Sequence, residues 1–413
     1  MTAIRVVLLL AAVAGAVVRP LRLPAFVAPA ACSAIALAAG LVSLGEAGSA
    51  LRPLAAPLAF LLAAIPLAVL LDRYGYFEQL AALFDGGRLL VPGLWALGTG
   101  TVAVLNLDAG VVLLTPLYLR VADQQGRSRF LLGVQPVLLA LLASSFLPVS
   151  NLTNLIVAAR FGVGPLAVLE HLALPSAVAC GVGYLCYRAA GGLAAPGRRT
   201  SSPRAAAGRP APVDPPARDR RVLTVGSLVV GLVLAGFVLG PSAGIAEWEV
   251  ALAADLVLVL LTRYLPLRTI PWDTALVAAG LAVLAAAAAA GLHLGGILGG
   301  TGPVAALRQA AVSAAGANVV NNLPALLVAL PFVSSSGGHA SCALWPVLWG
   351  VNAGPSLLVT GSLASLLWLD SMRRFGVRVT ALQYLRMGVR VALPAAAAGL
   401  LVLIALAPVL GCG

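Results

Sequence analysis

Asn318, Asn321 and Asn322 fall with Pro324 inside the otherwise apolar stretch Gly316-Ala317-Asn318-Val319-Val320-Asn321-Asn322-Leu323-Pro324-Ala325-Leu326-Leu327. In hydrocarbon every polar group needs an internal partner, so such a cluster persists only where it lines a cavity enclosed by protein. Proline removes a helical N–H, and Gly316 weakens the helix just before the amides. The stretch reads as a broken helix facing a polar chamber; the plainer reading is hydrogen-bond glue between helices beside an inconsequential kink. A second cluster, Asn106-Leu107-Asp108-Ala109-Gly110, favours the chamber. It too precedes an apolar run, which closes at Pro116 as the later one closes at Pro331.

A broken helix offers free N–H groups at one tip and free carbonyls at another, and Asn, Ser and Thr add short neutral donors and acceptors. Such a site suits a small polar solute or a cation. Two more polar interruptions extend it: Ser150, Asn151, Thr153 and Asn154 after Leu147-Pro148-Val149, and Thr360, Ser362 and Ser365 in the second half. Asp108 is the carboxylate at the centre of the first break. A carboxylate at membrane depth is costly as an anion, and taking up a proton removes that cost, so Asp108 is the first choice for proton coupling. The alternative is a permanent anion capping a half-helix N-terminus. Asp255, in mid-run, is a secondary candidate on the proton route.

Several long apolar runs must position these groups. The 413 residues are 61% hydrophobic and 10% charged, against about 25% charged in soluble domains, so the chain is a polytopic membrane protein. All 26 positive residues are Arg, giving a net charge of +12 that reads as a topology signal rather than a nucleic-acid surface. No phosphate loop, metal-ligand cluster or nucleophile–base pair is visible, so neither enzyme activity nor a cofactor or bound metal is expected. Transport is then driven by a gradient or by a separate ATPase subunit.

Cys32, Cys180, Cys186, Cys342 and Cys412 are scattered, with no disulfide spacing, and are expected to be inert buried thiols. Cys180 and Cys186 lie on largely different faces of one helix, which argues against a shared thiol site. His171, His293 and His339 are isolated.

Helical runs are expected at 4–18, 24–44 and 53–72, with 89–121 too interrupted for one plain span and better suited to a re-entrant hairpin or discontinuous helix. Further runs follow at 130–147 and 165–188. Residues 191–221 are rich in Pro, Gly, Ser, Ala and Arg, a disordered basic linker that should be cytoplasmic. It separates a first repeat, 1–190, from a second, 222–413. The second gives runs near 222–243, 247–265, 272–292, 296–332, 343–369 and 388–411, with Asp273 read as a helix-capping carboxylate.

Asn106 to Pro116 aligns with Asn321 to Pro331 at an offset of 215, and Ser150–Leu155 aligns with Gly361–Leu366 at 211. Paired interruptions at corresponding positions of two halves point to a secondary transporter with its site at the repeat interface. The expected fold is all-α, with two inverted-topology repeats containing broken helices or re-entrant hairpins and about 10–12 spans at roughly 20 residues each.

The chain resembles the arsenite/antimonite efflux permeases (ArsB-type) of the ion transporter superfamily. The resemblance rests on Asn106-Leu107-Asp108-Ala109-Gly110 with Leu114-Thr115-Pro116, on Leu147-Pro148-Val149-Ser150-Asn151-Leu152-Thr153-Asn154, on Pro271-Trp272-Asp273, on Asn318–Pro324, and on Gly350-Val351-Asn352-Ala353-Gly354-Pro355 leading to Thr360–Leu369. It implies a scaffold plus a mobile transport unit in the bacterial inner membrane. It also implies export of As(III) or Sb(III), as the neutral trihydroxide, in exchange for protons. The same cores occur in sodium/proton antiporters and dicarboxylate carriers of the superfamily, which remain the alternatives.

Overall fold

The computed structural model describes residues 1–19, 23–83, 87–192, 219–333 and 342–412. Its regular structure there is entirely helical. The first half contains α1 (Thr2–Val18), α2 (Val27–Ala38), α3 (Leu44–Leu51), α4 (Ala55–Arg73), α5 (Tyr76–Ala82), α6 (Leu90–Leu105), α7 (Leu107–Gln124), α8 (Arg129–Leu142), α9 (Leu152–Phe161) and α10 (Pro165–Tyr187). The second contains α11 (Arg220–Leu239), α12 (Glu247–Thr262), α13 (Trp272–Ala289), α14 (Gly295–Leu298), α15 (Pro303–Val320), α16 (Asn322–Ala329), α17 (Leu344–Ala353), α18 (Leu363–Arg374), α19 (Ala381–Met387) and α20 (Leu393–Leu406). Among the described residues, six helices are long and apolar enough to cross a membrane. Most of the linker expected at 191–221, and His339, lie outside the described residues.

The interrupted segments resolve into two kinds. In the first, α6 and α7 fold back on each other at Asn106: the Tyr118 hydroxyl donates to the Leu94 carbonyl, and a Cβ on Gly110 would stand 2.8 Å from Val102. This is a re-entrant hairpin, so α6 turns back despite being long enough to cross. Its counterpart is the α15–α16 pair, folded at Asn321, where α15 and α16 pack together and a Cβ on Gly316 would meet Ala325. In the second kind, α8 and α9, and likewise α17 and α18, are successive halves of broken spans joined by polar loops.

Two proline readings change. Pro324 does not break its helix, because it sits in the first turn of α16, where an N–H is unused anyway; the break is at Asn321. Pro116 lies within α7, which continues to Gln124, whereas Pro331 sits in a 3-10 turn that ends its helix.

The path gives five passes before the linker (α1, α2, α3–α4, α8–α9, α10) and five after it (α11, α12, α13, α17–α18, α19–α20). An odd number per half inverts the second half relative to the first, so the two hairpins enter from opposite faces. Packing agrees: α2 lies on α13 while α12 lies on α4, an exchange of equivalent partners, and the equivalent helices α10 and α20 pack on each other. Asp273 ties the exchange together by accepting from the backbone N–H groups of Ala25 (3.3 Å) and Phe26 (3.0 Å) at the entry to α2. It is a helix-end carboxylate as expected, but the end it satisfies belongs to the other half.

Arginines mark one face. Arg19, Arg73, Arg88, Arg120, Arg127, Arg129, Arg188, Arg220, Arg221, Arg263, Arg268, Arg373, Arg374 and Arg378 flank helix ends there, against Arg5, Arg52, Arg160 and Arg308 on the other. The positive-inside rule associates an Arg-rich face with the cytoplasm.

Candidate functional site

Each break is built on an amide or hydroxyl whose side chain replaces a missing helical partner. Asn106 (φ 90°, ψ 151°) accepts from the Asp108 N–H at 2.9 Å and starts α7; Asn321 (φ 77°, ψ 156°) accepts from the Leu323 N–H at 3.5 Å and starts α16. Positive φ is unfavourable for residues with a Cβ, and Asn tolerates it best because its oxygen can bond its own backbone two residues on. In the broken spans a 3-10 turn leads to one extended residue and then a helix. Pro148–Ser150, Asn151 and α9 repeat as Val359–Gly361, Ser362 and α18, at the offset of 211 throughout.

The interruptions are joined in series. The Ser150 hydroxyl donates to the Ala103 carbonyl at 2.6 Å, fastening the first hairpin tip to its loop. Asn318 does the corresponding work in the second half: its Nδ2 donates to the carbonyls of Ala314 and Gly354 (2.9 Å each), and its Oδ1 accepts from the N–H groups of Leu357 (3.2 Å) and Leu358 (3.1 Å). Gly361 fits close against the Cα of Asn318, where a Cβ would stand at 3.3 Å. Asn321 adds a bond from Nδ2 to the Thr360 carbonyl at 3.3 Å.

Between the halves stands Asn352, at the end of α17. Its Oδ1 accepts from Asn151 Nδ2 (3.1 Å) and Thr153 Oγ1 (2.6 Å), and its Nδ2 donates to Asn154 Oδ1 (2.7 Å) and Ser145 Oγ (3.0 Å). Asn154 in turn donates to the carbonyls of Ser144 and Leu147. Asn352 lies in a motif that carried the family resemblance, yet its type and spacing did not separate it from its neighbours. Only the fold reveals it as the hub.

The polar residues singled out from the sequence therefore divide by what remains free. Asn318 uses its full hydrogen-bonding capacity on the frame and Asn154 all but one acceptor position, and Ser365 meets the Tyr384 hydroxyl at 2.9 Å. Asn151 and Thr153 are committed to Asn352, while Asn322 turns its oxygen to the Leu323 N–H. Three buried polar atoms here have no partner: Asn106 Nδ2, Asp108 Oδ1 and Ser362 Oγ. They begin α7 and α18, helices that pack along one another toward the Arg-rich face, where Leu119 and Met372 both close on Gly133.

Four helices end at these breaks (α6, α8, α15, α17) and four begin there (α7, α9, α16, α18). Carbonyls at the ends and N–H groups at the starts supply acceptors and donors together, with opposed end-charges. Such a set of helix ends suits hydroxylated solutes that both donate and accept.

Residues 2–354 match the CitMHS family, described as citrate transporter. The chain belongs to this family. This CitMHS member is 26% identical to the arsenical pump membrane protein of Yersinia enterocolitica over 401 residues, covering 88% of the chain and 89% of the relative. It is also 26% identical to that of Escherichia coli K12 over 367 residues, covering 81% and 82%. The resemblance to arsenite permeases read from the motifs thus extends across most of the chain. In fold, this CitMHS member is similar to the Alcanivorax borkumensis YdaH transporter, with a TM-score of 0.56 at 16% identity over 90% of this chain and 89% of the other. It is a multi-pass membrane transporter.

One expectation about cysteines is overturned. Cys342 and Cys412 form a disulfide, with Cα atoms 5.4 Å apart, that joins the segment before α17 to the one after α20. Seventy residues separate them in sequence, and only the return of α20 to that face brings them together. It lies on the Arg-poor face, as expected where the compartment is oxidising.

Proposed function

We propose that the protein is a secondary active exporter of As(III) and Sb(III), carried as neutral trihydroxides in exchange for protons. The observation that carries this reading is the set of unpartnered buried atoms: a donor on Asn106, a hydroxyl on Ser362 and a carboxylate oxygen on Asp108, beside amides already saturated by the frame. An uncharged trihydroxide both donates and accepts, so it matches groups of both kinds without bringing charge into the membrane. The arsenical pump relatives support the same cargo.

In this reading Asp108 is the proton-exchanging group. Asn106, Ser150, Asn151, Thr153, Asn154, Asn318, Asn321, Asn322, Thr360, Ser362 and Ser365 form the solute site, with Asn106 and Ser362 in direct contact and the saturated members holding the walls. The repeats are 1–190 and 222–413, joined by a cytoplasmic linker at 191–221, and the membrane is the bacterial inner membrane. Gradient-driven transport needs no ATPase subunit. Arsenite efflux from a sensitive host, compared with antimonite, sodium and citrate, tests the cargo: As(III) export that collapses with an uncoupler supports it, and sodium-dependent or citrate-only transport refutes it.

A second reading, carriage of a small carboxylate, is favoured by the family's description alone. Citrate uptake by proteoliposomes with no arsenite movement would establish it.

A further inference from the structure

On the Arg-poor face a cavity of about 780 Å³ opens between the outer ends of α9, α13 and α16, the turn before α3, and α1. Its wall along α13 is made of alanines, among them Ala282, Ala286 and Ala290, so it is wide and smooth. Two cations reach it, Arg5 from α1 and Arg160 from the last turn of α9. Transit of an uncharged solute gives them no task.

Neither guanidinium donates a hydrogen bond or forms an ion pair among the described residues, and the Nε of Arg5 is buried without a partner. The carboxylate on the wall, Glu46, is occupied by the backbone N–H (2.7 Å) and hydroxyl (2.8 Å) of Ser43 as the cap of α3. Arg308 on the same face shows how a guanidinium is ordinarily satisfied there: it donates to the carbonyls of Ile297 and Gly299 at 2.8 Å each. Arg160 is exposed at the mouth and Arg5 half-buried, close enough to Glu46 to favour its anion but with no direct bond to it. A guanidinium's planar fork matches carboxylate and oxyanion oxygens two at a time.

We infer that Arg5 and Arg160 form an outer anion site, which takes a small oxyanion or carboxylate in the mouth of the cavity. Arg160 stands nine residues along α9 from Asn151, roughly 13 Å at 1.5 Å per residue, so this site is separate from the breaks. It goes beyond the proton-coupled reading and does not depend on it. The anion is either free in the external medium or the phosphate of a lipid headgroup.

The test is calorimetric titration of inorganic phosphate, and separately of citrate, into the full-length protein in nanodiscs of neutral phosphatidylcholine. Saturable binding of either anion is expected, weakened at least tenfold by the double substitution Arg5→Gln, Arg160→Gln. Asp108→Asn should leave it unchanged, so loss of proton coupling and loss of this site are told apart. Unaltered gel-filtration and melting profiles of the double variant establish that it folds. Repeating the titration in phosphatidylglycerol discs identifies the source: weaker phosphate binding assigns the site to headgroups, and equal binding to a free anion. No saturable binding of either probe, or equal affinity in the double variant, would overturn the inference.

Discussion

Asn106 and Asn321 stand 215 positions apart and adopt nearly the same unfavourable backbone, φ 90° and ψ 151° against φ 77° and ψ 156°. Each turns its side-chain oxygen on the N–H two residues ahead, so the residue that bends the hairpin also starts the returning helix. An alanine at either position keeps the Cβ that opposes positive φ and loses the compensating bond, a cost of about 1–3 kcal/mol. Asn106→Ala and Asn321→Ala should therefore lower the melting temperature in detergent, while the glycine variants stay close to wild type. Equal destabilisation by Ala and Gly would show that the backbone is not the constraint.

Asn352 carries four side-chain bonds across the two halves. Asn352→Ala strands buried donors and acceptors on Asn151, Thr153 and Asn154, at about 1–3 kcal/mol for each group left unsatisfied. Asn352→Asp keeps the two incoming bonds and lets the Ser145 hydroxyl donate in its turn, losing only the bond to the Asn154 oxygen, so it should fall between. Thermal melts of inserted protein check this order, and an unchanged midpoint in Asn352→Ala would contradict it.

The cysteines divide into a staple and three bystanders. Replacing the free thiols Cys32, Cys180 and Cys186 by Ser or Ala should leave transport intact. Cys342 and Cys412 should resist maleimide until reduced, and then react with an impermeant reagent added outside intact cells. Labelling without reduction argues against the bond, and labelling only after permeabilisation argues against the orientation.

Much of this was legible in the residues. Amides stand out against a hydrophobic background, and their two offsets, 215 and 211, pair the four breaks as the structure does, whereas Pro324 and Pro116 mark no break. Local patterning could not show which breaks fold back: α6–α7 and α8–α9 look alike until Tyr118 meets Leu94. Nor does sequence reveal saturation. Asn318 and Asn106 are the same residue type at equally apolar positions, yet the first spends every hydrogen bond on its own helix and the following loop while Nδ2 of the second is free. The disulfide and the Asn352 hub are products of long-range return, which no spacing rule reports.

Asp108 begins α7 with one oxygen buried and unpartnered, so a single substitution separates its proton from its shape. The most direct measurement is As(III) accumulation by everted membrane vesicles whose interior is acidified by respiration, comparing wild type with Asp108→Asn at equal protein levels. Wild-type vesicles should accumulate As(III) uphill and release it on addition of an uncoupler, and Asp108→Asn should show no uphill accumulation. Uncoupler-sensitive accumulation by Asp108→Asn at the wild-type rate would contradict the role given to this carboxylate.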